Sequence, residues 1–262
     1  MLQSRRKLSP ARTAVLSIAG AITFFGIWYL AAYAGLAPPQ FLPVPHEVIE
    51  KLIALMRSPF SGYTLQEHLF ASLQRFAMGF GLAVLIGIPL GLMMGWFRLL
   101  DEIISPLFNG LRFVPPIAWV PFAALWFGTS IGGPVLVIFT GAFPPCLINA
   151  YRGARYVERH LIEAARTLGL NNFQMISQVL FRASIPSIVA GLRISAGLAW
   201  MSLIGAELIV ASSGIGYLLV KGQSALDASI VMAGMFAIGV VGIVIDILLR
   251  RLEHKWATPQ PT

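Results

Sequence analysis

The stretch Phe76-Ala-Met-Gly-Phe-Gly-Leu-Ala-Val-Leu-Ile-Gly-Ile-Pro-Leu-Gly-Leu-Met-Met-Gly-Trp-Phe97 contains no ionisable side chain. A bilayer core of about 30 Å is crossed by roughly 20 apolar residues in a helix, so this run is long enough to span one. Within it Ala83, Gly87, Gly91 and Gly95 recur at every fourth position. Small residues at that spacing lie on one helix face and let a neighbouring backbone come close. The stretch reads as a membrane helix with a packing seam, bent at Pro89.

The rest of the chain has the same character. Its 262 residues are 57% hydrophobic and 11% charged, with a mean hydropathy of +0.77. A soluble domain carries roughly 25% charged residues, so this chain cannot coat a globule of its size with polar side chains. That argues against a soluble enzyme and a disordered chain. A lone cysteine, Cys146, rules out an internal disulfide. Five further stretches meet or approach the spanning length: 14–36, 107–127, 134–151, 186–210 and 228–249. The third span overall, 107–127, is interrupted by Pro115, Pro116 and Pro121, and the fourth by Pro144 and Pro145. Prolines free backbone carbonyls that lipid cannot satisfy, so these kinks are expected to face protein or a water-filled path. Each connection is too short for an independent domain of roughly 50 residues or more. The expectation is an all-α, single membrane domain over 1–262 with about six transmembrane helices.

The net charge of +8 divides along this map. Arg5, Arg6, Lys7 and Arg12 precede the first span, and Arg250, Arg251 and Lys255 follow the sixth. Alternation puts Arg98, Arg112, Arg152, Arg155, Arg159, Arg166 and Arg182 on that same side, and only Lys51, Arg57 and Lys221 opposite. This is a positive-inside distribution, with both termini cytoplasmic, and it argues against nucleic-acid binding. The first span has a basic start and an Ala32-Tyr33-Ala34 pattern like a signal peptide. Its apolar run is too long for one, and its loss would break the even span count. It is expected to be retained. Between Pro43 and Glu67, Val48, Leu52 and Leu55 share a helical face, which predicts an amphipathic helix on the outer surface.

The long inner connection, 152–185, contains Glu158-Arg-His-Leu-Ile-Glu-Ala-Ala-Arg-Thr-Leu-Gly-Leu-Asn-Asn-Phe-Gln-Met-Ile. Val157, Leu161, Ala165 and Leu168 fall on one helical face. Gly169 ends that helix, since glycine readily takes the left-handed cap conformation. Asn171 or Asn172 then caps a second helix that leads into the fifth span. This is a short helix-turn-helix below the membrane, suited to a partner's groove or to the bilayer surface.

Glu163-Ala164-Ala165 with Gly169 resembles the EAA loop of membrane permease subunits of bacterial ABC importers. Phe41-Leu-Pro-Val-Pro-His-Glu-Val, Val114-Pro-Pro-Ile-Ala-Trp-Val-Pro, Leu125-Trp-Phe-Gly and Gly191-Leu-Arg-Ile resemble the nitrate/sulfonate/taurine branch of that family. So do Gly205-Ala-Glu-Leu-Ile and Ser213-Gly-Ile-Gly-Tyr. The likeness runs from about residue 25 to residue 250. One departure is Arg182, where the family has a proline; Pro186 is expected to take over the break. The resemblance implies a type I importer fold with a cytoplasmic coupling helix, serving a small anion such as a sulfonate, taurine, nitrate, bicarbonate or an aromatic acid. It implies a cytoplasmic ABC ATPase dimer, a second permease subunit (a second copy of this chain or a related one), and an external solute-binding protein. Glu163, Ala164, Ala165 and Gly169 would then form the element that docks on the ATPase.

No phosphate loop is present, because none of Lys7, Lys51, Lys221 and Lys255 follows a glycine. No cofactor is therefore expected in this chain, with ATP and Mg held by the ATPase. His46, His68, His160 and His254 form no zinc pattern, and no catalytic set clusters. Ionisable groups inside spans usually have a partner. Arg193 and Asp246 fall at similar depth and read as an ion pair, and Glu207 with Arg75 as a second. Glu207 also reads as a gate residue near the outer end of the fifth span. Trp119, Asn149, Trp200 and Ser202 are candidate liners of the path, although residues of these types are more often simple packing. A self-contained carrier or channel would instead want midplane charge pairs and inverted repeats, which the sequence does not display.

Overall fold

The computed structural model describes residues 10–38 and 41–256, and among these every regular element is helical. Arg5, Arg6 and Lys7, on which the placement of the N-terminus leans, lie outside the described residues, as do the side chains of His254 and Lys255. Helix α1 spans Pro10–Tyr33, α2 Pro45–Arg57, α3 Leu65–Trp96, α4 Arg98–Leu111 and α5 Val120–Phe127. Then come α6 Gly132–Arg155, α7 Arg159–Thr167, the single turn α8 Asn172–Gln174, α9 Phe181–Val210, α10 Ile215–Ser224 and α11 Ala228–Trp256.

Helices α3, α6 and α9 form the centre. Gly79 lies opposite Ile138, Gly87 opposite Cys146, Gly91 opposite Ala150 and Gly95 opposite Ala154, so numbers rise together and α3 and α6 run parallel. The seam predicted on α3 is thus real, and α6 answers it with its own small residues Ala142, Cys146, Ala150 and Ala154. In lipid, close backbone approach is what makes such a contact attractive. Against α9 the order reverses: Gly153 meets Ser184 and Ser187, Asn149 meets Gly191, and Gly141 meets Ser202. The Ser195 hydroxyl donates to the Ala142 carbonyl and lies 3.0 Å from the Cys146 thiol, which can donate to it.

Parallel α3 and α6 have a topological consequence. The segment between them must return the chain across the full membrane. That segment is α4, an irregular stretch at 112–115, a 3₁₀ turn at Pro116–Trp119 and α5, and its two halves are bent by 88°. Five helices are long and apolar enough to cross a membrane unbroken, and the bent pair, taken as one span, makes a sixth. The expected span 107–127 is therefore corrected: it begins at Arg98 and is broken rather than kinked. Arg112 is also corrected. Phe108 packs its ring 6.3 Å from Phe143, and Pro116 lies against Gly141, so Arg112 sits beside the middle of α6, not at a membrane surface.

Other boundaries move for local reasons. α3 starts at Leu65 rather than Phe76 because Thr64 and Glu67 form a capping box, with the Thr64 N–H 2.6 Å from the Glu67 carboxylate. α6 passes through Pro144 and Pro145 without a break. Pro186 does not break the chain either: 172–210 is one continuous helical rod, widened into a π-helical stretch at Met175–Leu180. The predicted amphipathic α2 forms, but its apolar face is covered by the protein itself, Val48 and Leu55 clustering with Leu218, Ile230, Ala233 and Ala237. Lys51 bonds Asp227 at 2.8 Å across the same contact.

Candidate functional site

The ends of α3 and α6, the start of α9 and the end of α11 gather Arg98, Arg152, Arg155, Arg182 and Arg250 on one side, here termed the basic side. The helix-turn-helix predicted from the sequence stands there. α7 ends in a Schellman turn: Leu170 N–H reaches the Ala165 carbonyl at 3.2 Å, Gly169 N–H the Arg166 carbonyl at 2.9 Å, and Gly169 has φ +78°. Asn171 then caps the next helix, exchanging two 2.9 Å bonds with Gln174. Four residues thus reverse the chain with little freedom left.

The four candidate coupling residues do not share one surface. Glu163 and Ala164 are exposed on α7 and Gly169 is exposed at the turn, while Ala165 is 5% exposed and packs inward against Met175 and Leu180. Ala165 therefore seats α7 on the foot of α9 rather than offering itself to a partner. Trp96, at the end of α3, joins that cluster, and the Arg166 guanidinium lies 5.7 Å from its ring. α7 is so tied to two membrane helices at once. Of the expected apolar face, Val157 packs with Ala165 in that cluster, whereas Leu161 is 41% and Leu168 79% exposed; Tyr156 at 81% and Phe173 at 78% are uncovered in the same segment. Apolar side chains exposed together beside a basic rim are what a protein-docking surface needs.

On the opposite side α3 and α9 bury an ion pair. Arg75 Nη1 lies 2.7 Å from Glu207 Oε1, and both side chains are nearly inaccessible. Ser72 donates to both carboxylate oxygens at 2.8 and 2.9 Å, and Gly216 N–H donates to Oε2 at 3.0 Å. Arg75 also reaches the Ser213 carbonyl at 2.7 Å and its hydroxyl at 2.6 Å, while Gly214 N–H donates to His68 Nδ1 at 3.1 Å. Charges removed from water need such partnering, and among these groups only the Arg75 Nε is left without a hydrogen-bond partner. The loop wraps this close only because Gly214 (φ +107°) and Gly216 lack side chains; a Cβ on either would strike Glu207. Ser213 stands in the Ser213-Gly-Ile-Gly-Tyr run quoted above, whereas the sequence reading gives His68 and Ser72 no role. Their signal was present in the helical spacing of His68, Ser72 and Arg75, which puts all three on one face of α3. In this arrangement Glu207 is a strut that holds the 211–216 loop onto α3.

Arg193 and Asp246 pair at 2.8 Å between α9 and α11, extended by Arg250 at 2.7 Å and Glu253 at 3.4 Å. Trp200 is 7% exposed, stacked edge-on against Phe76 and donating to the Ile238 carbonyl at 3.2 Å, a packing position inside the bundle. Asn149 is half-buried and donates to the Pro145 carbonyl at 2.8 Å, meeting a backbone group beside the proline pair. Ser202 faces Gly141 and donates to the Leu198 carbonyl at 2.7 Å. Trp119 ends the 3₁₀ turn with its ring 5.9 Å from Phe122. Ser202 and Trp119 thus border the broken crossing, whereas Trp200 turns away from it. Among the described residues no His, Cys, Asp and Glu cluster has metal-binding geometry.

Known proteins share both sequence and shape with this chain. It is 39% identical over 231 residues to a protein of Methanocaldococcus jannaschii assigned as an ABC transporter permease, covering 88% of this chain and 86% of that one. It is 34% identical over 246 residues to the taurine transport system permease protein of Escherichia coli, covering 94% and 90%. The nitrate import permease protein of Synechocystis is 34% identical over 217 residues, covering 81% and 79%. In three dimensions it resembles an inward-facing structure of the MetNI methionine ABC transporter, with a TM-score of 0.66 at 18% identity over 74% of this chain and 96% of that one. Residues 87–258 match the family described as the inner membrane component of binding-protein-dependent transport systems. The chain belongs to that family: it is a multi-pass membrane permease of the ABC transporter class.

Proposed function

We propose that this chain is the membrane-spanning subunit of an ATP-driven importer and forms the path for a small anion, a sulfonate or taurine before nitrate or bicarbonate. The basic side is cytoplasmic in this reading, so both ends of the chain lie in the cytoplasm. A second copy of the chain completes the path, an external binding protein delivers the anion, and a pair of cytoplasmic ABC ATPases supplies the energy. The chain itself performs no chemistry.

The observation that carries the reading is α7. It is a short helix with a rigid turn, an exposed Glu163-Ala164 face and uncovered Leu168, and it is packed against Trp96 at the end of α3 and against Met175 and Leu180, which lead into α9. A push on α7 is transmitted to two crossing helices because neither contact passes through a flexible loop. The anion follows from the relatives named for taurine and nitrate. The test is uptake by the complex purified from its native cells and placed in proteoliposomes with its binding protein. ATP-dependent accumulation of taurine or nitrate is expected. Accumulation without ATP, by this chain alone, would replace the importer with a carrier.

A further inference from the structure

The break between α4 and α5 holds a charge without a carboxylate partner. Arg112 follows the last residue of α4, and its guanidinium carbon lies 4.9 Å from the centre of the Phe113 ring. Both residues are exposed in the single chain, and among the described residues Arg112 enters no salt bridge. Depth is set by the residues on either side. Asp101 bonds Tyr151 at 2.9 Å near the basic end of α6, Phe108 meets Phe143 about midway along it, and Pro116 meets Gly141. Arg112 lies between the last two, near the middle of the membrane.

Two physical requirements meet at this point. A charged side chain at mid-depth does not face lipid; it faces a partner or a water-filled cavity. Irregular backbone at this depth has the same requirement, and residues 112–115 are outside any helix. The guanidinium is flat, with its N–H donors in the plane, the geometry that matches two oxygens of an oxyanion at once. The guanidinium carbon stands over the Phe113 ring, a contact that uses none of its N–H donors on a carboxylate.

We infer that Arg112, backed by Phe113, is an anion-binding station at mid-depth on the transport path, for a sulfonate or another monovalent oxyanion. This rests on the anion-importer reading above. Its role is to offer the passing anion a fixed counter-charge where bulk water is absent. One station of modest strength suits a path, because the anion must also leave it.

The test uses the whole importer in proteoliposomes with its binding protein, taurine and nitrate as probes, and Cys146→Ala as the background. Arg112→Cys is expected to react with an anionic methanethiosulfonate from the aqueous phase, more slowly when the transported probe is present. Arg112→Gln is expected to lower uptake about tenfold or more, the loss of a charge-assisted hydrogen bond, while ATP hydrolysis without substrate is unchanged. Arg112→Lys keeps the charge without the planar fork and is expected to transport with a raised KM. It decides the matter if the glutamine variant does not assemble. An unreactive Arg112→Cys, or wild-type KM in both Arg112→Gln and Arg112→Lys, overturns the station while leaving the importer intact. If the wild-type complex accumulates neither probe, the anion reading fails and the station falls with it.

Discussion

The contact between α3 and α6 makes a sharp prediction at Gly91. A Cβ placed there would stand 2.5 Å from the Leu147 carbonyl oxygen, 2.9 Å from the Ala150 Cβ and 2.9 Å from the Tyr151 amide nitrogen. Two of these three are backbone atoms of an intact helix, so no rotamer change makes room. Carbon-to-oxygen contacts between helices sit at about 3.3–3.6 Å, so α3 and α6 must part by roughly 1 Å. Overpacking of this kind costs about 1–3 kcal/mol. Gly81 is the control, because it lies on the same helix and a Cβ there meets nothing within 4 Å. Alanine at that site gains up to roughly 1 kcal/mol of helix propensity with no clash. At about 2–4 °C per kcal/mol for a chain of this size, Gly91→Ala should unfold several degrees below Gly81→Ala. Heating each variant in mild detergent and reading the surviving monodisperse peak measures the difference. Equal midpoints, or a higher one for Gly91→Ala, would refute the close parallel packing and with it the return crossing through α4 and α5.

Further predictions concern the charges and the turn. Glu207→Gln, which leaves Arg75 buried without its counter-charge, is expected to destabilise the protein by about 3–5 kcal/mol, whereas Glu207→Gln with Arg75→Met recovers most of that; the same thermal assay compares them, and equal loss in both would show that the pair is not coupled. Burial raises the Asp227 carboxyl, but the hydrogen bond from Lys51, the Ile230 N–H and the Lys51 charge outweigh it and hold the group below its ordinary value. A carboxyl lowered in the folded state stabilises the protein above its unfolded value, near pH 4, and loses that contribution as pH falls through the folded value. The Tm gap between the wild type and Asp227→Asn should therefore be present at pH 7 and close below about pH 4; a gap independent of pH would contradict this. Gly169→Asp puts a charged side chain on the exposed turn at φ +78° that follows α7, a backbone conformation that L side chains rarely adopt. It is expected to reach the membrane in normal amount, measured by blotting of membrane fractions, and to transport nothing; normal uptake would remove α7 from the coupling role.

How much of this was legible beforehand depends on the range of the physics involved. Uncharged runs of spanning length, the Gly87-Gly91-Gly95 seam and the Gly169 and Asn171 turn are local, and each was readable from a window of a few residues. The Arg75–Glu207 and Arg193–Asp246 pairs were also readable, because a charge inside a span demands a partner and few were on offer. What failed was depth. Arg112 was assigned to a membrane surface because alternation treats each proline-broken stretch as one straight rod; an 88° bend carries the same residue to mid-depth. The inward turn of Ala165 was hidden for a related reason: an alanine packs equally well on its own chain or on a partner, and only the tertiary position of Met175 and Leu180 decides. Pro186 is expected to break a helix that instead runs on unbroken over 172–210, because a proline near the start of a long helix removes only one backbone donor there.

The most direct measurement is purification of the tagged chain from its own cells in mild detergent, assayed for bound ATPase activity, alongside Gly169→Asp prepared identically. The account predicts that the wild-type chain elutes with a soluble ATPase that hydrolyses ATP, and that the variant elutes without it. A wild-type chain that elutes alone, with no ATP hydrolysis, would contradict the account.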